Sequence, residues 1–234
     1  MRFRPSIPLT VSAAIAFAIL CGLGIWQLQR LDWKNGLIEQ IAARMDGAAV
    51  PLPAQLDEPD DWRFRRVTVT GTFDHAHEAH RLGKAERGRV GYRIFTPLIH
   101  DDGQAVMVER GWVPDGLKSP DTRPASLTEG SVTVTGVLRL PDERNLFTPD
   151  DDPVRNLWSA SDPVAMGAAA GLQTPPWYVV AEESGVTWPR AGRPELHLIN
   201  NHLEYAFTWF SLAVVLLVIW LIMGLRRARE QDQA

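Results

Sequence analysis

The chain has 234 residues, a net charge of −4 and one cysteine, with 45% hydrophobic and 22% charged residues. Without a basic cluster in its central part it carries no electrostatic footprint for nucleic acid, and a lone Cys21 excludes an intramolecular disulfide and cysteine-pair redox or copper-transfer chemistry. From Pro5 to Gln29 there is no charge, and Ile7 to Ile25 is almost wholly apolar, enough for a membrane-spanning helix. A secretory signal peptide is the alternative. Gly24-Ile25-Trp26-Gln27 lacks a small-x-small cleavage pattern, and Leu20 does not suit lipidation at Cys21, so an uncleaved anchor is expected. Trp33, Leu37, Ile41 and Met45 then recur at helical spacing until Pro51 and Pro53, which predicts a stalk. Pro51 to Trp62, rich in Pro, Asp and Glu, reads as a connector without periodicity.

Strands follow. Arg66-Val-Thr-Val-Thr-Gly-Thr-Phe73 and Ser131-Val-Thr-Val-Thr-Gly-Val-Leu-Arg139 alternate with period two, each suited to burying one face. Arg89 to His100 and Gln104 to Val113 flank Asp101-Asp102-Gly103, a tight-turn signal for a hairpin. Asp162-Pro163 supplies a helix N-cap and first-turn proline, Val164 to Ala170 a short helix, and Gly171 its end. A last strand is expected over Trp177 to Glu182, with Glu182 and Glu183 at its solvated end. The final feature is a run from Tyr205 to Leu225 without charge, roughly 31 Å long as a helix and so able to span a bilayer.

The fold class is therefore an α+β membrane protein: two transmembrane helices flank a mainly antiparallel β extramembrane domain with a short helix. Arg2, Arg4, Arg226, Arg227 and Arg229 lie at the outer ends of the spans, which places both termini in the cytoplasm. The predicted organisation is an N-terminus (1–6), a transmembrane helix (7–28), a helical stalk (29–50), a periplasmic β-rich domain (51–204), a second transmembrane helix (205–225) and a cytoplasmic tail (226–234). No Arg- and Ser-rich, acid-poor segment precedes the first span, which favours a bacterial inner membrane over a mitochondrial one.

Chemistry is sparse in the central domain. It holds neither a phosphate-binding glycine loop after a strand nor a Gly-x-Ser-x-Gly elbow, so an enzyme is not expected. His75, His77 and His80 invite a metal reading, but His80 has the wrong parity for a strand site and the spacing is one residue short of a helical His-Glu-x-x-His. An exposed strand or turn is the simpler expectation.

His202 is different. Asn201 and Glu204 can form a capping box that puts His202 in the first turn of the second span, where a neutral imidazole is a metal-capable donor. His202, Tyr205, Ala206 and Trp209 share a helical face, and the small residue between aromatics leaves room for a flat apolar ligand such as a haem. On the first helix Trp26, Arg30 and Trp33 also share a face, and if the helices pack side by side Arg30 is a candidate partner for a haem propionate. The competing reading makes Tyr205, Trp209, Trp26 and Trp33 interfacial anchors and His202 a surface residue.

Gly24-Ile25-Trp26-Gln27-Leu28-Gln29-Arg30 with Trp33-Lys34, Gly71-Thr72-Phe73, Tyr92 through Thr96-Pro97-Leu98, Val108-Glu109-Arg110-Gly111-Trp112-Val113-Pro114, Gly136-Val137-Leu138-Arg139, Asn156-Leu157-Trp158 and Asn200-Asn201-His202-Leu203-Glu204-Tyr205-Ala206 together resemble the Surfeit locus protein 1 family, also called the Shy family. Their order and spacing across nearly the whole chain make the match specific. The resemblance implies an assembly factor for cytochrome c oxidase, acting when haem a enters the catalytic subunit. Its partners would be that subunit, the haem a synthesis machinery and the lipid bilayer.

The resemblance also makes His202 the expected ligand of the haem iron, with Glu204 standing where the family often has glutamine. Tyr205, Trp209 and Trp26 would flank the macrocycle, Arg30 or Arg110 would pair a propionate, and Trp112 with Pro114 would face the membrane or a partner. For Trp112 the alternative is a core tryptophan beside a glycine bend. The competing function is a membrane-anchored scaffold that binds the nascent oxidase subunit without touching haem.

Overall fold

The computed structural model describes residues 5–84, 90–192 and 200–232, and it divides into two units: Met1–Gln40 with Leu196–Ala234, and Ile41–Glu195.

The first unit is a helical pair. Helix α1 spans Ile7–Asp46, the span and stalk of the sequence reading joined without a break, and at the helical rise it is about 60 Å long. Helix α4 spans His202–Asp232. They run antiparallel. Trp220 Nε1 donates to Thr10 Oγ1 at 3.3 Å, and Asn200 Nδ2 donates to Asn35 Oδ1 at 2.9 Å at the opposite end. Between these, a Cβ on Gly24 would lie 2.6 Å from the Phe210 ring, so the glycine is what lets the ring sit on the α1 backbone, as small residues do between membrane helices. Ile15, Ile19, Phe207 and Val214 meanwhile stay more than half exposed. Both helices are long and apolar enough to cross a membrane, and outward-facing apolar surface on this scale suits lipid rather than water.

The second unit is a small β-barrel. The Pro-rich connector is not featureless: it contains strand β1 (Val50–Pro51) and the short helix α2 (Pro59–Trp62). The Val-Thr repeats become β2 (Arg66–Phe73) and β6 (Ser131–Arg139), paired with each other antiparallel, Val67 opposite Gly136 and Val69 opposite Val134. Their valines point into a core with Leu98, Val106, Val108, Leu138 and Val179, while Thr70 and Thr133 exchange a 2.8 Å hydrogen bond outside. Strands β4 (Val90–Ile99) and β5 (Ala105–Pro114) form the predicted hairpin. Its turn is closed by Gly103 at φ +84 and by Asp102 Oδ1 accepting from Gln104 N. Arg89, where the sequence places the start of β4, lies outside the described residues.

Strand β3 (Ala79–Lys84) pairs with β4, and β7 (Tyr178–Ala181) lies between β6 and β5, antiparallel to the first and parallel to the second. The order β2-β6-β7-β5-β4 closes because the end of β2 pairs with β4, Thr72 opposite Ile99. Helix α3 (Pro163–Ala169) has its predicted cap, Asp162 Oδ1 accepting from Ala165 N. Its Met166 covers a second cluster of Phe95, Met107, Trp158 and Tyr178 on the outside of the barrel wall. Strand β5 is buried on both faces for this reason. The mainly antiparallel sheet, the short helix α3 and two flanking apolar helices are the predicted fold class.

Candidate functional site

The helix pair assembles the most distinctive polar contact of the first unit. α4 opens at His202 with Glu204 in its first turn, and His202 Nδ1 lies 2.7 Å from Gln27 Oε1 on α1. Gln27 is buried, at 9% exposure. An amide buried in an apolar helix costs free energy unless hydrogen-bonded, and the imidazole supplies its oxygen with a partner. One turn further along α1, the Arg30 guanidinium rests 3.9 Å from the centre of the Trp33 ring, a cation–π arrangement that holds the exposed arginine against its own helix. Trp26 is half exposed on the same side of α1.

The four-residue stripe read on α4 is not uniform. Ala206 is 1% exposed, so the notch expected between the aromatics is filled, whereas Tyr205 points outward at 56% exposure. Trp209 is intermediate, and its buried Nε1 has no hydrogen-bond partner among the described residues. The α4 residues available to a flat ligand are thus His202 at the mouth of the pair, outward Tyr205, and Trp209 with an unused donor.

Arg110 has a different setting from the one the sequence suggested. It belongs to the barrel unit, where β5 carries an extra residue against β4: Gly111 pairs with Ile94 and Glu109 with Phe95, leaving Arg110 as the bulge. Gly111 adopts φ +126, and a Cβ there would meet Arg190 O at 2.3 Å. Two residues beyond the inward Val108, the Arg110 side chain shares its face by strand alternation, and it donates to Ser126 O at 2.6 Å, stacks over Phe73 at 4.5 Å and lies 3.6 Å from Glu78. Burial lowers its pKa, opposed by Glu78 and assisted by Arg123. A guanidinium so engaged is a structural charge.

Trp112 is likewise core, at 7% exposure against Trp188, with ring centres 5.8 Å apart. Large side chains at the end of β5 are covered because the segment around Arg190 bridges it, Trp112 N donating to Arg190 O at 3.0 Å. Only Pro114, half-buried at the end of β5, remains at the surface.

Glu78 organises the other buried charges. Its side chain, 1% exposed, pairs with Arg123 and lies 3.8 Å from His75 Nδ1 and 3.9 Å from His80 Nε2. The three histidines do not converge. His75 Nε2 bonds Thr128 O, His77 Nδ1 bonds Asp74 Oδ2 on the surface, and His80 turns inward. Among the described residues no group of three His, Cys, Asp or Glu is spaced to hold a metal. Glu182, read as a solvated strand end, instead makes a two-pronged ion pair with Arg66.

Neither ring nitrogen of His80 has a hydrogen-bond partner among the described residues, and burial first, then Lys118 and Arg123, lowers its pKa to about 4. Unfolded, the same ring would titrate near the ordinary histidine value of about 6.5. Between about pH 6.5 and about 4 the unfolded chain therefore binds a proton that the barrel refuses, and stability falls as pH drops through that window. Thermal unfolding at pH 7 and pH 5 should show a His80→Phe variant losing less stability on acidification than the unaltered chain; equal losses would mean that His80 does not carry this slope.

A SURF1 family profile matches residues 14–214, a stretch that includes both the Trp26-Gln27 and the His202-Tyr205 segments. The chain belongs to the SURF1 family. It is 33% identical over 216 residues to Surfeit locus protein 1 of Xenopus tropicalis, covering 85% of this chain and 70% of that protein. Against the Homo sapiens protein of the same name the figures are 33% over 223 residues, 88% and 74%, and against that of Takifugu rubripes 31% over 226 residues, 89% and 93%. Membership in the SURF1 family implies an assembly factor for cytochrome c oxidase, with an oxidase component as partner. Within this SURF1 chain, Gln27 is the site residue that sequence reasoning passed over. Its only signal was an amide side chain inside an otherwise apolar span.

Proposed function

We propose that this chain binds haem a and hands it to the catalytic subunit of cytochrome c oxidase during maturation, from a bacterial inner membrane in which both termini are cytoplasmic and the barrel is periplasmic. Haem a has an isoprenoid tail and charged propionates, so a carrier holds it best at the bilayer edge, tail in lipid and iron near the surface. The observation that carries this reading is His202 at the mouth of the helix pair, its Nδ1 held by Gln27 and its Nε2 without a hydrogen bond among the described residues. An imidazole with one nitrogen anchored and the other free is a ready haem ligand. In this role His202 binds the iron, Trp209, Tyr205 and Trp26 border the macrocycle, and Arg30 pairs a propionate.

Two further features support the reading. The Arg30 guanidinium is exposed and stacked, with no ion pair among the described residues, and the Trp209 indole N–H has no hydrogen-bond partner among them. The test is the reduced absorbance spectrum of the full chain purified from cells that also make haem a. Bound haem a should be present with the natural sequence and fall to background in His202→Ala; unchanged haem content in that variant would reject the ligand role.

A scaffold that holds the oxidase subunit without haem is the second reading. It is favoured by a turn that displays Leu146 and Phe147 at 99% and 92% exposure and is braced by Arg144 on Asp151 and Pro149 O. On that reading the natural sequence itself gives a spectrum without haem a.

A further inference from the structure

We propose that Gln27 is a positioning residue that fixes the tautomer and the direction of the His202 ring, holding the proton on Nδ1 and leaving the lone pair of Nε2 exposed. The haem consequence of this assignment rests on the function proposed above; the tautomer itself does not. A carboxamide oxygen only accepts, and it is Oε1 of Gln27 that lies 2.7 Å from Nδ1, so Nδ1 carries a hydrogen. A neutral imidazole has one such hydrogen, so in the neutral ring Nε2 is bare. In water the opposite tautomer, with the proton on Nε2, is the more populated, and it cannot offer Nε2 to a metal. The contact with α1 reverses that preference at this one residue.

Geometry makes the reversal effective. Gln27 is 9% exposed, so bulk water does not compete for its oxygen, and a hydrogen bond away from water is stronger and stiffer than an exposed one. The partners come from different helices, 175 residues apart in sequence, and the helices are held together on one side by Gly24 against Phe210 and on the other by Asn35 with Asn200. The ring is consequently oriented by contacts between the two helices. Metal-binding histidines generally use their second nitrogen in this way, and loss of that outer partner commonly costs about 10- to 100-fold in affinity.

The assignment is tested first without haem. The full chain, labelled with nitrogen-15 at histidine and placed in lipid nanodiscs, should show a His202 resonance pair with a protonated Nδ1 and a bare Nε2. Gln27→Leu should move it toward the Nε2–H form, and Gln27→Glu, which keeps an acceptor oxygen, should not. A protonated Nε2 in the unaltered chain, or an unchanged tautomer in Gln27→Leu, would overturn the proposal. Haem a titration supplies the second readout: Gln27→Leu should weaken binding about 10- to 100-fold, while Gln27→Glu binds and lowers the midpoint potential, because a carboxylate partner makes the imidazole a better electron donor. Equal affinity in Gln27→Leu and the unaltered chain would also overturn it. The expected tautomer pattern in a chain that takes up no haem a would uphold the role of Gln27 and reject the haem reading instead.

Discussion

Glu78→Gln is expected to destabilise the barrel by about 3–5 kcal/mol, the usual consequence of removing one member of a buried ion pair and leaving the other charged. The Glu78 side chain is 1% exposed and its two arginine partners, Arg123 and Arg110, are 3% and 5% exposed. Glutamine keeps the shape and the hydrogen-bonding reach toward Thr96, so the loss reports charge rather than packing. Both guanidinium groups would then face each other without a carboxylate. Arg123 has further acceptors in Ser126 and in the Leu117 and Lys118 carbonyls, whereas Arg110 relies on Ser126 O beyond its contacts with Glu78 and His75. Replacing Arg110 by Met in the Glu78→Gln background should therefore recover part of the loss. Urea unfolding of the full chain in detergent, followed by tryptophan fluorescence, measures both; a Glu78→Gln midpoint equal to that of the unaltered chain would show that the cluster does not depend on this charge.

Gly71→Val should be as damaging, by at least about 3 kcal/mol, the upper end of what inserting atoms into a packed region usually costs. Gly71 sits where β2 leaves β6 and takes up β4, and a Cβ there would stand 2.4 Å from Ile99 O and 2.9 Å from its carbonyl carbon. These are backbone atoms, so no change of rotamer relieves the clash; the strands must separate where the barrel closes. Gly136, the matching glycine of the second Val-Thr repeat, meets Val180 O at 2.4 Å by the same construction. Gly116, with nothing within 4 Å, is the control, and Gly116→Ala should stay within about 0.5 kcal/mol of the unaltered chain. Equal midpoints for Gly71→Val and Gly116→Ala would contradict the close strand crossing.

The two VTVTG segments illustrate how far local pattern reaches. Alternation placed their valines inside and their threonines outside, because a strand's two faces follow from neighbours two residues apart. That the segments pair with each other, and that both glycines mark crossings too tight for any side chain, follows from strands brought together from distant parts of the chain. Strand β3 went unread for a related reason. Ala79-His80-Arg81-Leu82-Gly83-Lys84 lacks a β-branched alternation, and its pairing with β4 outweighs weak intrinsic preference.

What the sequence by itself determined were features encoded over a few residues or by bulk apolarity: two bilayer-length helices, the period-two strands, the Asp-Gly turn, the Asp162 cap, a histidine at the start of α4, and motifs specific enough to place the chain in its family. What only the tertiary structure decided were partners: closure of the barrel, the parallel neighbourhood of β5 and β7, the pairing of buried Arg110 with Glu78 and Ser126, the burial of Trp112, and the bond between Gln27 and His202. The physical reason is that periodicity and capping depend on neighbours along the chain, whereas burial and hydrogen-bond pairing depend on which distant surfaces meet. A glutamine in an apolar helix has no assigned partner until a second helix lies against it.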